Sequence, residues 1–235
     1  MKIQVWSDYV CPFCYIGKRE LENALATTGF KDQVEVEYMA YQLDPGTPAD
    51  SDETVYSMLS KKYGMSEEQA QAQTQGIKQR AASVGLNYDF DKMASANTFK
   101  AHRLAKYAAT IGKEQQVTER LLKGYFEEGQ KIGQDAVLIA LAAEVGISED
   151  EVKNVLADDT FATDVLADIA QARELGVQGV PFFVIDNKYA ISGAQPAQVF
   201  EETVTKAAEE AGIHPALKMM GNGNAGVCTD DSCEI

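Results

Sequence analysis

Apolar and polar positions predict strands near both ends of the chain and helices between them. Residues 2–8 predict a strand, and residues 12–28 predict a helix with one apolar side that ends at Gly29. Residues 33–41 alternate apolar and polar side chains, which predicts a second strand. A strand, a helix and a strand in this order indicate the start of a parallel sheet.

The middle of the chain has the periodicity of helices and no clear strand pattern. A break at residues 43–48 precedes it, because Asp, Pro and Gly cluster there. Ser66 and Ser148 open capping-box patterns, and Asn97 is expected to be an N-cap. The predicted helices cover residues 52–63, 66–84, 98–111, 114–128, 134–145, 148–158 and 160–175.

The strand pattern returns after this helical block. Residues 180–185 predict a strand, and residues 189–192 pair back on it as a hairpin. Pro196 then opens a last helix that reaches about Ala211. The order is therefore β-α-β, a helical insert and β-β-α, which predicts an α/β fold.

Composition and charge narrow the possible partners. Hydrophobic residues make up 45% of the chain and charged residues 24%, and the net charge is −15. Such an acidic chain is expected to bind neither nucleic acid nor an anionic membrane surface, because phosphates would be repelled. Without an apolar run of about 20 residues or a secretory signal pattern, a cytoplasmic protein is expected.

Cys11-Pro12-Phe13-Cys14 lies at the junction of the first strand and the first helix. If Pro12 opens the helix, the Cys11 sulfur faces unpaired backbone N–H groups and the positive end of the helix dipole, which favour the thiolate. Cys14 follows one turn later, at a spacing that permits a disulfide. Two buried structural cysteines, or half of a zinc site, are the alternatives. The strand, proline and helix around the pair favour redox chemistry, as does a reducing cytoplasm.

Residues 7–17, Ser-Asp-Tyr-Val-Cys-Pro-Phe-Cys-Tyr-Ile-Gly, resemble the opening of the DsbA family of thioredoxin-fold oxidoreductases, particularly its FrnE-like branch. Residues 97–104 and 192–196 resemble segments of the same branch. The resemblance implies a thioredoxin-like fold with a large all-helical insert. The corresponding division is a discontinuous thioredoxin-like domain (1–43 and 176–214), a helical insert domain (44–175) and a flexible tail (215–235).

The same resemblance implies the parts of an active site. Cys11 and Cys14 would be catalytic, and a cis Val180–Pro181 bond would face them. Val180 would then offer its backbone N–H and C=O to an extended substrate, beside an apolar surround that includes Phe13. Asn97 and His102 are weaker candidates for the site. Asn97 could lie near the active-site cleft but is more simply a helix cap, and His102 could be a base near Cys11 but is more simply a partly exposed helix residue.

A second pair, Cys228 and Cys233, stands near the C-terminus among acidic residues. Negative neighbours disfavour the thiolate, so these cysteines are expected to attack slowly. They suit a relay or a regulatory disulfide that exchanges with Cys11, a feature that resembles some FrnE-like proteins. Exposed thiols without a role, or a zinc site formed by all four cysteines, are the alternatives.

The combined interpretation is a thiol–disulfide oxidoreductase that acts on protein or small-thiol substrates. It would need no cofactor, and glutathione or thioredoxin could be its redox partner. One alternative is a glutathione-dependent isomerase or transferase, similar to 2-hydroxychromene-2-carboxylate isomerase or kappa-class transferases. Those relatives typically carry serine where Cys11 stands, so this chain departs from their pattern. The other alternative is a zinc-binding protein that uses four cysteines.

Overall fold

A four-stranded sheet forms the centre of the protein in a computed structural model that describes residues 1–215 and the backbone of 228–229 and 232–233. Its order is β2-β1-β3-β4. The strands are β1 (Lys2–Ser7), β2 (Glu35–Ala40), β3 (Phe182–Ile185) and β4 (Tyr189–Ser192). β1 pairs parallel with β2 and antiparallel with β3, and β3 forms a hairpin with β4. The predicted parallel pair and hairpin are confirmed.

Helices follow β1, occupy most of the stretch between β2 and β3, and follow β4. They are α1 (Pro12–Thr28), a 3-10 helix (Lys31–Gln33), α2 (Val55–Tyr63), α3 (Glu67–Ser83), α4 (Phe99–Thr110), α5 (Glu114–Phe126), α6 (Asp135–Glu144), α7 (Glu149–Ala157), α8 (Ala162–Glu174) and α9 (Ala197–Glu210). None of the helices in the described residues is both long and apolar enough to cross a membrane. The predicted α/β fold class with a large helical insert is confirmed, and the domain boundaries stay a prediction.

Local sequence signals account for most of the observed helix ends. Gly29 ends α1 with a left-handed φ of 79°, a conformation that glycine adopts without a steric penalty. Ser66 and Ser148 form the predicted capping boxes of α3 and α7. The predicted cap at Asn97 is wrong by one residue, because Thr98 occupies the cap position of α4. Asn97 still accepts a hydrogen bond from the Phe99 N–H at 3.0 Å.

Three groups of buried apolar side chains hold the layers together. One group joins α1 and α9 to a face of the sheet through residues such as Leu21, Phe183 and Phe200. A smaller group around Trp6 joins the sheet to α8. The largest group lies within the helices between β2 and β3, and it also includes Tyr15 from α1. The first turns of α1 therefore touch both the sheet layer and the inserted helices, and the cysteine pair lies at this junction.

Two short backbone segments of the predicted tail, residues 228–229 and 232–233, form a pair of strands. The backbone of Cys228–Thr229 pairs antiparallel with that of Ser232–Cys233, and Cys228 stands opposite Cys233. The side chains of both cysteines, and the expected flexibility of residues 216–235, lie outside the described residues.

Candidate active site

The start of α1 sets the positions of the two cysteines. Cys11 is the N-cap residue with an extended backbone, and Pro12 begins the helix. The Cys14 N–H donates to the Cys11 carbonyl at 3.0 Å, and the Tyr88 hydroxyl donates to the Pro12 carbonyl at 2.7 Å. Both cysteines are buried free thiols. The helix start is thus tied to Tyr88, which lies in the stretch between α3 and α4.

Val180 lies directly against the Cys11 sulfur, and Pro181 follows it in the chain. The Val180–Pro181 peptide bond is cis, as expected. The Cys11 thiol donates to the Val180 carbonyl at 3.4 Å. The Val180 N–H has no hydrogen-bond partner among residues 1–215. The residue whose carbonyl contacts the Cys11 sulfur therefore also has a backbone N–H that can donate to a bound molecule.

The expected contact between the Cys11 sulfur and free N–H groups of the helix is not observed in the described residues. The Cys11 side chain makes no capping hydrogen bond. A protonated thiol is a donor, so it turns toward the nearby carbonyl of Val180 instead. An N–H contact is expected to form with the thiolate, which is a stronger hydrogen-bond acceptor than the thiol and cannot donate to Val180.

Cys14 has a different environment from Cys11. Burial raises the pKa of the Cys14 thiol, and the neighbouring Cys11 raises it further. The Asp8 N–H donates to the Cys14 sulfur at 3.5 Å. Cys14 is therefore held as a thiol behind Cys11, whose sulfur faces Val180.

Asp8 and His102 form a buried polar pair behind the cysteines. One Asp8 carboxylate oxygen accepts from the Leu43 N–H at 2.8 Å, and the other lies 3.4 Å from His102 Nε2. His102 Nε2 also donates to the Tyr41 carbonyl at 3.0 Å. The interpretation of His102 as partly exposed is wrong, because its ring is buried and packs against Tyr9. Its polar contacts are with Asp8 and with the residue that follows β2, and none is with Cys11 among the described residues.

Asn97 supports a loop at the edge of the site. Its side-chain amide donates to the carbonyls of Pro45 and Thr47 at 3.1 and 2.9 Å. These bonds tie the loop after β2 to the start of α4. Asn97 therefore positions this loop. It does not position the cysteines, which are placed by the start of α1.

A cavity of about 360 Å³ opens beside Cys11 and Phe13. Its walls come from the start of α1, the loop after β2, α2, α3, the stretch before α4 and the end of α5. Phe13 is 43% exposed at its rim. The apolar side chains along it include Val10, Leu43, Val55, Met58, Leu59, Ile77, Phe90, Met93, Tyr125 and Phe126.

The sequence analysis missed two parts of this site. Asp8 was not predicted as a residue of the site. Its position three residues before Cys11 was the available signal, since both residues are buried together. The second part is the irregular stretch between α3 and α4, which contributes Phe90 and Met93 to the cavity. The alternation Leu86, Tyr88, Phe90 was the available signal, because every second side chain there is buried.

Metal binding finds no support within the described part of the chain. No group of three or more His, Cys, Asp or Glu side chains there is arranged to hold a metal ion. The four-cysteine zinc hypothesis also needs Cys228 and Cys233, whose side chains lie outside that part.

Comparison with known proteins identifies similar chains. A family model for a DSBA-like thioredoxin domain matches residues 2–205. A probable DsbA oxidoreductase from Streptomyces coelicolor is 39% identical with a TM-score of 0.84, and the match covers 100% of this chain and 99% of that one. The protein YwbO of Bacillus subtilis is 31% identical over 205 residues, which cover 86% of this chain and 95% of YwbO.

More distant structures share the fold. A 2-hydroxychromene-2-carboxylate isomerase is 13% identical with a TM-score of 0.68, covering 90% of this chain and 98% of that one. The cytosolic disulfide reductase DsbM from Pseudomonas aeruginosa is 15% identical with a TM-score of 0.62, covering 89% of this chain and 100% of that one.

Proposed function

Because the chain belongs to the family of DSBA-like thioredoxin domain proteins, we propose that it is an enzyme that exchanges thiols and disulfides through Cys11 and Cys14. One observation carries the proposal: the Cys11 sulfur points at the Val180 carbonyl, and Cys14 is buried one helical turn behind it. Disulfide exchange in two steps requires a nucleophilic thiol beside a backbone that can bind the substrate. It also requires a second thiol close enough to attack the resulting mixed disulfide.

Each of the two cysteines carries out one step of the reaction. The Cys11 thiolate attacks one sulfur of a substrate disulfide, and the other sulfur leaves as a thiolate and takes up a proton. Cys14 then loses its proton and attacks the Cys11 sulfur, which releases the second substrate thiol. The protein dithiol becomes a disulfide, and the substrate gains the two electrons. The reverse sequence oxidises a substrate dithiol.

Val180, Pro181 and Phe13 are proposed to bind the substrate. Once Cys11 has lost its proton, the Val180 carbonyl no longer accepts from the thiol and can accept from the substrate instead. The Val180 N–H, unpaired within residues 1–215, supplies the matching donor. Phe13 offers an exposed apolar surface between the two cysteines.

We place the enzyme in the cytoplasm, without a cofactor, and with glutathione or thioredoxin as its redox partner. The name of the distant structural neighbour DsbM, a cytosolic disulfide reductase, agrees with that compartment. Cys228 and Cys233 are proposed as a relay or regulatory pair, since their backbones stand opposite each other in a short antiparallel pairing.

A glutathione-dependent isomerase is the second candidate, favoured by the similar fold of 2-hydroxychromene-2-carboxylate isomerase. Such an enzyme would use position 11 to hold the glutathione thiolate and would not need a resolving thiol. The pair Cys11 and Cys14 favours exchange, because the second thiol is what completes the release of a mixed disulfide.

The proposal is tested by equilibrating the full-length protein with reduced and oxidised glutathione and counting its free thiols by mass after alkylation. We expect a reversible disulfide between Cys11 and Cys14, and loss of disulfide exchange in Cys11→Ser. If Cys11→Ser keeps full glutathione-dependent isomerase activity on 2-hydroxychromene-2-carboxylate, the exchange proposal is wrong.

The tail pair is tested in the same equilibrium with a variant that carries both Cys228→Ser and Cys233→Ser. A relay or regulator should shift the equilibrium constant of the Cys11–Cys14 pair or the rate at which it is reached. Identical constants and rates in the variant and in the wild type would contradict a role for the tail cysteines.

A further inference from the structure

The cavity beside Cys11 is large enough for more than one ring. Its volume is about 360 Å³. An apolar cavity of about 150 Å³ already accepts benzene, and pockets for small organic molecules begin near 300 Å³. Cys11 is itself a wall residue of the cavity although only 4% of its surface is exposed. A molecule in the cavity would therefore lie next to the nucleophilic residue.

The walls of the cavity are mostly apolar and carry almost no free charge. Apart from Cys11, its ionisable lining residues are Asp44, Lys62, Tyr63 and Tyr125. Lys62 Nζ lies 3.9 Å from the Asp44 carboxylate, so the two charges largely offset each other. Two of the lining hydroxyls, Thr74 and Ser95, already have hydrogen-bond partners within the protein. A ligand with several charges would find few partners for them here.

The rim of the cavity is apolar as well. Phe13, Leu43 and Tyr63 are large hydrophobic side chains that are 43%, 40% and 62% exposed, and all three line the cavity. Exposed apolar side chains grouped at one opening are typical of a binding site for an apolar ligand. Met58 and Met93 lie further inside, and their unbranched side chains adapt to different ligand shapes.

We propose that the substrates of Cys11 are low-molecular-weight disulfides with an aromatic or aliphatic body, and that this body is bound in the cavity. The proposal rests on the proposed function, because it needs Cys11 as the nucleophile. Cys11 attacks the sulfur attached to the bound body, the other sulfur leaves as a thiol, and Cys14 releases the bound body as its thiol. The protein dithiol supplies both electrons and becomes a disulfide.

Size and charge distinguish these apolar disulfides from glutathione and from polypeptides, the two other kinds of substrate that Cys11 could attack. Glutathione carries two carboxylates and an ammonium group, whereas the cavity offers one lysine that is already beside Asp44. Glutathione is therefore not the occupant of the cavity, and it stays one of the two proposed redox partners for the protein disulfide. A single side chain of a polypeptide would fill only part of a cavity of about 360 Å³.

The test uses 2-pyridyl mixed disulfides, which all release the same pyridine-2-thione when Cys11 attacks. The partner thiols are 2-mercaptoethanol, glutathione, naphthylmethanethiol and a pentapeptide with leucines on both sides of its cysteine. Rates of the reduced full-length protein are divided by rates with dithiothreitol, which removes intrinsic differences in reactivity. We expect the naphthylmethyl probe to react at least about tenfold faster than the mercaptoethanol and glutathione probes, since one methylene in an apolar pocket is worth roughly 10–200-fold.

Matched variants test whether the preference for the naphthylmethyl probe comes from the cavity. Ile77 and Ile139 are both half-buried against the same core, but only Ile77 lines the cavity. Ile77→Gln should lower the preference for the naphthylmethyl probe at least about threefold, and Ile139→Gln should leave it unchanged. Met58→Gln, with Met65→Gln as its control, repeats the comparison on α2 and the loop after it, in case Ile77→Gln does not fold.

The outcomes separate this inference from the proposed function. Equal normalised rates for all probes, still lost in Cys11→Ser, would overturn the apolar substrate class and leave disulfide exchange standing. A peptide probe that reacts faster than the naphthylmethyl probe would assign the cavity to polypeptide substrates and overturn the inference. If no probe reacts with wild type, or if Cys11→Ser reacts like wild type, the proposed function fails as well.

Discussion

Gly17 allows α1 to approach Pro181 closely. A Cβ atom at residue 17 would lie 3.0 Å from Pro181 Cγ and 3.1 Å from Phe183 Cζ, distances shorter than most real Cβ contacts. Gly17→Ala therefore has to push α1 and Pro181 apart by a few tenths of an ångström. Because Pro181 directly follows Val180, whose carbonyl accepts from the Cys11 thiol, this displacement should change both stability and disulfide exchange.

The size of the effect follows from a control glycine. Gly76 lies inside α3 and has no atom within 4 Å of an added Cβ, so Gly76→Ala should only gain helix propensity, about 0.5–1 kcal/mol. Gly17→Ala gains the same amount but overpacks a buried contact, which costs about 1–3 kcal/mol. The two variants should therefore differ by about 1–3 kcal/mol in the free energy of unfolding. For a chain of this size the difference corresponds to roughly 2–12 °C in Tm.

Urea unfolding and thermal melts of both variants beside the wild type measure this difference. Disulfide exchange measured on the same samples should fall roughly three- to tenfold in Gly17→Ala, because a misplaced binding residue slows a reaction that depends on alignment. Gly76→Ala should exchange at the wild-type rate. If Gly17→Ala is as stable as Gly76→Ala and exchanges equally fast, the close approach of α1 to Pro181 is not needed and this reasoning is refuted.

Three further substitutions test two partly buried carboxyl groups and the separate roles of the two cysteines. Burial raises the pKa of Glu114 to about 7 from 4.5, so folding favours its protonated form and stability falls as pH rises between these values. Glu114→Gln should remove that loss and gain at most about 3 kcal/mol over wild type between pH 4 and about pH 8; equal urea curves at both pH values would contradict it. Glu119 lies 2.6 Å from the ammonium group of Lys18, whose side chain is 4% exposed, and Glu22 also pairs with Lys18. Because Lys18 keeps one carboxylate partner, Glu119→Gln should cost about 1–3 kcal/mol in urea unfolding; a cost below about 0.5 kcal/mol would show that the pair is effectively solvated. Cys14→Ser should accumulate a mixed disulfide at Cys11 that mass spectrometry detects, and the same yield of adduct in wild type would exclude Cys14 as the resolving thiol.

Local interactions explain what the sequence predicted well. The capping boxes at Ser66 and Ser148 and the helix end at Gly29 each depend on residues within one turn. The order of strands and helices follows from apolar periodicity, which is also a local property. Cys11 and Cys14 come together because they lie on one turn of a helix that Pro12 begins. The cis Val180–Pro181 bond was expected from family resemblance and not from its neighbours in the chain.

Only the tertiary structure decided which distant segments meet at the cysteines. The cavity combines residues from α1, α2, α3 and α5, and no local pattern fixes how these helices pack. Asp8 comes to lie beside His102, and Gly17 beside Pro181, across long separations in the chain. Such contacts depend on the summed packing of the whole fold, so the sequence determined the elements and the nucleophile, whereas packing determined the shape and polarity of the space around it.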